Sequence, residues 1–148
     1  MSKANRKPKI PIITEWKRDD TFAIEGTTVS SQSGYWRKVG DELQVRNRFI
    51  IDVPAAFFFI VIPFSKVLKS PVTAANYGIA YGEDSTPIPA TLYTGRLSVS
   101  SSTKLIIVGP ADLGIASAWS NTNPFVWAAG DSLSVYYSVP ISGWRSNK

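Results

Sequence analysis

The segment Asp131-Ser-Leu-Ser-Val-Tyr-Tyr-Ser-Val139 alternates without a break. Leu133, Val135, Tyr137 and Val139 fall on one side, and Ser132, Ser134, Tyr136 and Ser138 on the other. Side chains of an extended strand point to opposite faces in turn, so this period of two describes a strand with one face in a core and one in water. The pattern recurs upstream, where Leu43, Val45 and Asn47 oppose Gln44, Arg46 and Arg48, and where Phe22 and Ile24 punctuate Thr21–Glu25 before Gly26. Tyr35–Val39, Asn76–Tyr81, Thr91–Tyr93, Arg96–Ser100 and Lys104–Val108 read as further strands, each closed by turn residues. Ser30-Ser-Gln-Ser-Gly34 reads as a loop.

The most apolar run, Val53-Pro-Ala-Ala-Phe-Phe-Phe-Ile-Val-Ile-Pro63, is bracketed by prolines and falls well short of the ~20 residues a membrane helix needs. Its centre, Phe57–Ile62, is expected to be a fully buried strand. No stretch of ten or more residues repeats every 3.6 positions. Ser65–Ala75 and Ala111–Ala118 leave room for a single helical turn. About eight short strands, punctuated by ten Gly and ten Pro, predict an all-β sandwich or barrel, with a jelly roll the natural candidate for 148 residues.

Composition narrows the chemistry. The chain has no Cys and no His, which removes disulfides, thiolate chemistry, the commonest general base and the commonest transition-metal ligand. The net charge is +5, and its placement is uneven. Lys3, Arg6, Lys7, Lys9, Lys17 and Arg18 stand against Glu15 in the first 18 residues, while the other 130 carry equal numbers of each sign. The reading is a neutral body, residues 15–148, behind an extended basic arm, residues 1–14, that Pro8 and Pro11 hold open. No apolar run follows the basic start, so no secretory signal is expected.

A local echo links two places. Trp36-x3-Gly40-Asp41-Glu42-Leu43-Gln44-Val45 resembles Trp127-x2-Gly130-Asp131-Ser132-Leu133-Ser134-Val135, and in each a Gly-Asp turn feeds an alternating strand. Tyr35-Trp36-Arg37-Lys38-Val39-Gly40-Asp41, an apolar strand ending at Pro63, Trp127-Ala-Ala-Gly-Asp131 and Val139-Pro140-Ile141-Ser142-Gly143-Trp144 follow one another in an order that resembles small phage structural proteins. In those proteins a W-R-x-V-G-D strand opens the domain and a V-P-I-x-G-W segment closes it; the resemblance covers Tyr35–Trp144. It implies a single jelly-roll β-sandwich of the tumour-necrosis-factor and complement-C1q type, usually a homotrimer, serving as a capsid decoration (cement) protein or a fibre head. It carries over no catalytic residue. The chain departs from a fibre protein in having a short basic arm where a long stalk would precede the head.

Other chemistries fare poorly. A serine nucleophile would need Lys or a carboxylate as base, and no G-x-S-x-G elbow exists. Asp19-Asp20, Asp41-Glu42 and Glu83-Asp84 are adjacent pairs, which turns explain better than the cross-cleft carboxyls of a glycosidase. No D-x-[DN]-x-[DN]-G calcium loop is present. The expectation is no catalysis, no metal and no cofactor. Nucleic acid is disfavoured as a partner because no aromatic residue interleaves with the arm cations to stack bases. A membrane is not expected as a partner either.

The expected partner is therefore protein. Lys3, Arg6, Lys7 and Lys9 would meet acidic groups on the major capsid protein or a neighbouring copy, with Ile10, Ile12, Ile13 and Trp16 as apolar anchors, at the outer surface of a virion assembled in the host cytoplasm. The alternative is a receptor-binding fibre tip that recognises host surface glycan. Trp119, Asn121, Asn123 and Trp127, around the Ser120–Asn123 loop, are the candidate ligand residues for that reading, although core packing is the favoured role of these aromatics.

Overall fold

Leu43, Val45, Asn47, Phe49 and Ile51 turn inward one after another, and Leu133, Val135, Tyr137 and Val139 answer them from the adjacent strand. These two strands are the spine of an all-β fold. The computed structural model describes residues 12–69, 77–86, 89–109 and 118–145. Its strands are β1 (Lys17–Arg18), β2 (Thr28–Val39), β3 (Glu42–Val53), β4 (Phe59–Val61), β5 (Gly78–Asp84), β6 (Thr91–Ser101), β7 (Lys104–Val108) and β8 (Ser132–Pro140). A 3₁₀ turn at Pro63–Ser65 is the only helical element among the described residues, and none of their helices is long and apolar enough to cross a membrane.

The strands form one curled antiparallel sheet in the order β1-β2-β3-β8-β5-β6-β7-β4. β5, β6 and β7 follow one another as neighbours and β4 returns beside β7, which is a Greek key. The two ends of the sheet are drawn together by residues 12–25. The first part of this segment lies along β2: Gly40 N–H donates to Ile12 O (2.9 Å), Thr14 N–H to Lys38 O (2.9 Å) and Asp19 N–H to Gly34 O (2.9 Å). The second part crosses to β4, where Glu25 N–H donates to Phe59 O (2.9 Å) and Val61 N–H to Ala23 O (3.2 Å). One segment therefore serves both rims, and Phe22 and Ile24 plug the core between them.

The core runs the length of the curl, from Leu43, Leu68 and Ile141 at one end to Ile51, Phe58 and Trp127 at the other. Trp119 is fully buried and needs two glycines to fit: a Cβ on Gly95 would lie 2.8 Å from its ring, and one on Gly82 would lie 2.9 Å from Trp127. Glycine here is a packing requirement, set by two indoles pressed against the sheet.

Several sequence expectations need correction. Ser30–Gly34 is strand, part of β2, because β3 supplies partners from Gly34↔Asn47 to Ser31↔Ile50, and pairing outweighs the weak strand preference of Ser and Gly. Phe57–Ile62 is not buried on both faces. Phe58, Ile60 and Ile62 point inward, Phe59 and Val61 are half-buried and Phe57 is exposed, so this is a one-sided strand at the end of the ladder. Thr91–Tyr93 and Arg96–Ser100 merge into β6, and β5 continues through Gly82–Asp84. Thr21–Glu25 contributes the Ile24–Ile60 bridge and no longer strand.

Candidate functional site

The solvent face of the sheet is where the chain concentrates its chemistry. Alternation turns Arg46 outward on β3, and register then fixes its neighbours on both sides. Arg18 on β1 lies opposite Tyr35 on β2, Tyr35 opposite Arg46, Arg46 opposite Tyr136 on β8, Tyr136 opposite Ile79 on β5, and Ile79 opposite Arg96 on β6. One row of side chains thus crosses six strands. A second row beside it holds Trp16, Arg37, Gln44 and Ser138.

The guanidinium groups are laid on aromatic rings. Arg46 is 4.5 Å from the Trp16 ring centre and 4.9 Å from that of Tyr35, and Arg37 is 4.6 Å from Trp16. Arg37 also donates from Nε to Gln44 Oε1 (2.7 Å). Arg18 reaches Tyr35 at 5.8 Å and pairs with Asp20, which holds its guanidinium further above its usual pKa. Asp20 in turn sits below the usual carboxylate range, chiefly because its carboxylate accepts the Gly34 N–H (3.0 Å). Among the described residues no carboxylate pairs with Arg37, Arg46 or Arg48. Stacking on Trp16 and Tyr35 holds Arg37 and Arg46 in place without neutralising their charge.

Past Arg46 the face becomes apolar. Tyr136 and Ile79 are 48% and 42% exposed, and Tyr81 meets Tyr136 edge to face at 6.0 Å. A groove of about 720 Å³ lies where the two halves join, lined by Trp16, Gln44, Arg46, Ile79, Tyr136 and Ser138 among others. Inside the sheet, behind this face, burial pushes the Tyr137 hydroxyl pKa well up, so it stays neutral.

The residues singled out from sequence fall in three places. Lys3, Arg6, Lys7, Lys9 and Ile10 lie outside the described residues. Ile12 and Ile13 are exposed while their backbone is bound to β2, and Trp16 is part of the arginine–aromatic face. Trp119 and Trp127 do not face outward. They are core residues, with Trp119 Nε1 donating to Gly109 O and Trp127 packed on Phe125 at 4.3 Å, so they cannot form an exposed sugar platform. Asn123 uses its side-chain amide on Ala118 O (2.9 Å), and Asn121 is exposed with its carbonyl accepting Trp127 N–H (3.0 Å).

Sequence reasoning missed Tyr35, Arg37, Arg46, Ile79 and Tyr136 as a group because they come from four strands. The available signal was the outward parity of Arg46 and Tyr136, two large side chains on the wet side of otherwise clean alternations. In comparisons with known proteins, no family model, no curated protein and no solved structure matches this chain.

Proposed function

We propose that this chain is a non-catalytic structural protein of the jelly-roll type. It self-associates through the arginine–aromatic face and decorates a phage shell, with its basic arm on the major capsid protein. The observation that carries this reading is the composition of that face. Trp, Tyr and Arg are the residues that dominate protein–protein hot spots, while Lys, Asp and Glu are depleted there, and the two rows contain none of the latter three. The face is also asymmetric, cationic on β1–β3 and apolar on β8 and β5. A like-on-like contact would oppose arginines, whereas a heterologous contact sets the cationic half of one copy against the tyrosines of the next, and such contacts close into rings. A homotrimer, the state the sequence resemblance implies, is the smallest of these. On a shell, many copies that bind only the assembled lattice stabilise it by mass action and avidity.

Sedimentation of the full chain tests the self-association. A trimer is expected at micromolar concentration, and Ile79→Asp with Tyr136→Asp is expected to give a folded monomer with unchanged far-ultraviolet dichroism. A wild-type monomer at that concentration overturns the reading. Decoration is tested by deleting residues 1–11, which spares the bonds from Ile12 and Thr14 to β2. The truncated protein should remain trimeric and no longer saturate shells. The groove beside Trp16 and Tyr136 favours a second reading, a fibre tip that binds host glycan, because stacking rings and a side-chain amide meet there. Density for the chain at the tail of intact particles, with none on the shell, would select it.

A further inference from the structure

The groove on the solvent face continues, at Arg46 and Tyr136, into a smaller pocket of about 220 Å³, to which Ser33, Tyr35 and Arg48 also contribute. Strand register builds this pocket. Arg46 and Arg48 are two residues apart on β3, so both leave the same face, about 6.6 Å apart along the strand. Tyr35 and Tyr136 flank Arg46 from β2 and β8, and Ser33 and Ser134 flank Arg48 in the same way. Both arginines are exposed, and among the described residues no carboxylate pairs with either.

Positive charge is confined to one end of this continuous cleft. Among the described residues, Arg46 is the one charged side chain lining the groove; Tyr136 and Ile79 give it apolar surface, and Gln44 and Ser138 an amide and a hydroxyl. Farther along β3, on the side away from Arg48, Glu42 accepts the Ser138 Oγ–H (2.9 Å). The cleft therefore runs from two guanidinium groups, past neutral rings, toward a carboxylate. Like charges gathered at Arg46 and Arg48 repel each other until an anion sits between them. Planar guanidinium groups match the paired oxygens of a carboxylate, and such charge-assisted bonds are the strong ones.

We infer that this cleft binds an acidic saccharide. The carboxylate of one sugar meets Arg46 and Arg48, and a neutral neighbouring ring lies against Tyr136 and Ile79, with its hydroxyls on Gln44 and Ser138. A mostly apolar groove with a few convergent polar groups is the usual form of a small-ligand site. The single charged end argues against a polyanion such as a nucleic-acid strand, whose later phosphates would approach Glu42. A peptide fits less well, because extended peptides add to the edge of a sheet, whereas this groove lies on the face of β3, β8 and β5, whose backbones are paired with neighbouring strands. The inference rests on the second reading of the face, as a glycan surface, and names the class of sugar.

Three probes test it by titration calorimetry on the full chain: cellobiouronic acid, cellobiose as its neutral match, and tetrathymidylate. The acidic disaccharide should bind at least about tenfold tighter than cellobiose, the margin expected of charge-assisted hydrogen bonds. Arg46→Gln with Arg48→Gln, both at exposed positions, should remove that margin and leave cellobiose little changed. Tyr136→Ala should weaken both disaccharides several-fold. Equal affinity for the two disaccharides overturns this inference and spares the glycan reading, whereas no binding of either overturns both. Tetrathymidylate binding tighter than the acidic disaccharide overturns it in favour of nucleic acid. Sedimentation of the same samples reports self-association separately, so a trimer that binds no sugar leaves that reading standing.

Discussion

Gly40-Asp41 and Gly130-Asp131 begin alike. Each follows a tryptophan, each glycine has positive φ (61° and 94°), and each delivers the chain into one strand of the β3–β8 pair. Their surroundings then diverge. The Asp131 carboxylate is fully buried and accepts Ser85 N–H and Oγ–H (both 2.9 Å) and Ala128 N–H (2.7 Å), while Trp127 is enclosed by Phe58, Trp119 and Phe125. Asp41 meets Lys69 in partial exposure, and Trp36 lies half-buried under Lys17 and Phe64. The same local chemistry is closed inside the core at Gly130-Asp131 and stays at the surface at Gly40-Asp41. What differs is whether other loops arrive to cover it.

That contrast can be broken in graded steps. Trp127→Ala should cost about 4 kcal/mol in urea unfolding, and Trp36→Ala about 1.5 kcal/mol, because only the first empties a closed core. Asp131→Ala should cost about 3 kcal/mol by removing a buried carboxylate together with the three hydrogen bonds it accepts, with Asp131→Asn less severe. Gly40→Ala and Gly130→Ala should each cost about 1 kcal/mol, since both need the same left-handed backbone; a large gap between them would show that cover, too, matters to the turn. Asp41→Asn should change stability by less than about 1 kcal/mol, as for other exposed ion pairs.

Acid sharpens the comparison further. Asp41 is held below the usual carboxylate range chiefly by its hydrogen bond from Lys69, and Asp20 chiefly by the Gly34 N–H. A carboxyl whose pKa is lower folded than unfolded stabilises the fold above the unfolded value, about 3.9, and loses that contribution as pH falls through the folded one. The melting temperature should therefore fall below about pH 4. Asp20→Asn and Asp41→Asn should each flatten that fall.

How much of this was legible in the sequence follows from what each feature depends on. β8 was readable because its own side chains alternate against a core, and β7 because a short run of branched apolar residues stops at Gly109. Ser30–Gly34 was not, since its strand state comes from β3 and its outward face is serine. Asn47 was placed correctly on the inward face of β3, where its Oδ1 is buried without a hydrogen-bond partner. Trp119 and Trp127 flank a polar loop in sequence, and only the space above Gly82 and Gly95 shows why they turn inward. The arginine–aromatic row was invisible because it runs across strands, perpendicular to the direction in which a sequence is read.

The segment that bridges both rims of the curl has a mechanical consequence. Tension on the chain ahead of Ile12 would pull along β2 and load several backbone bonds together in shear, so they would not open one at a time. It also leaves neither terminal strand with a bare ladder of amides for a stray chain to extend. A protein tethered by its leader would thus bear the strain of the tether on the same staple that keeps its sheet from joining another.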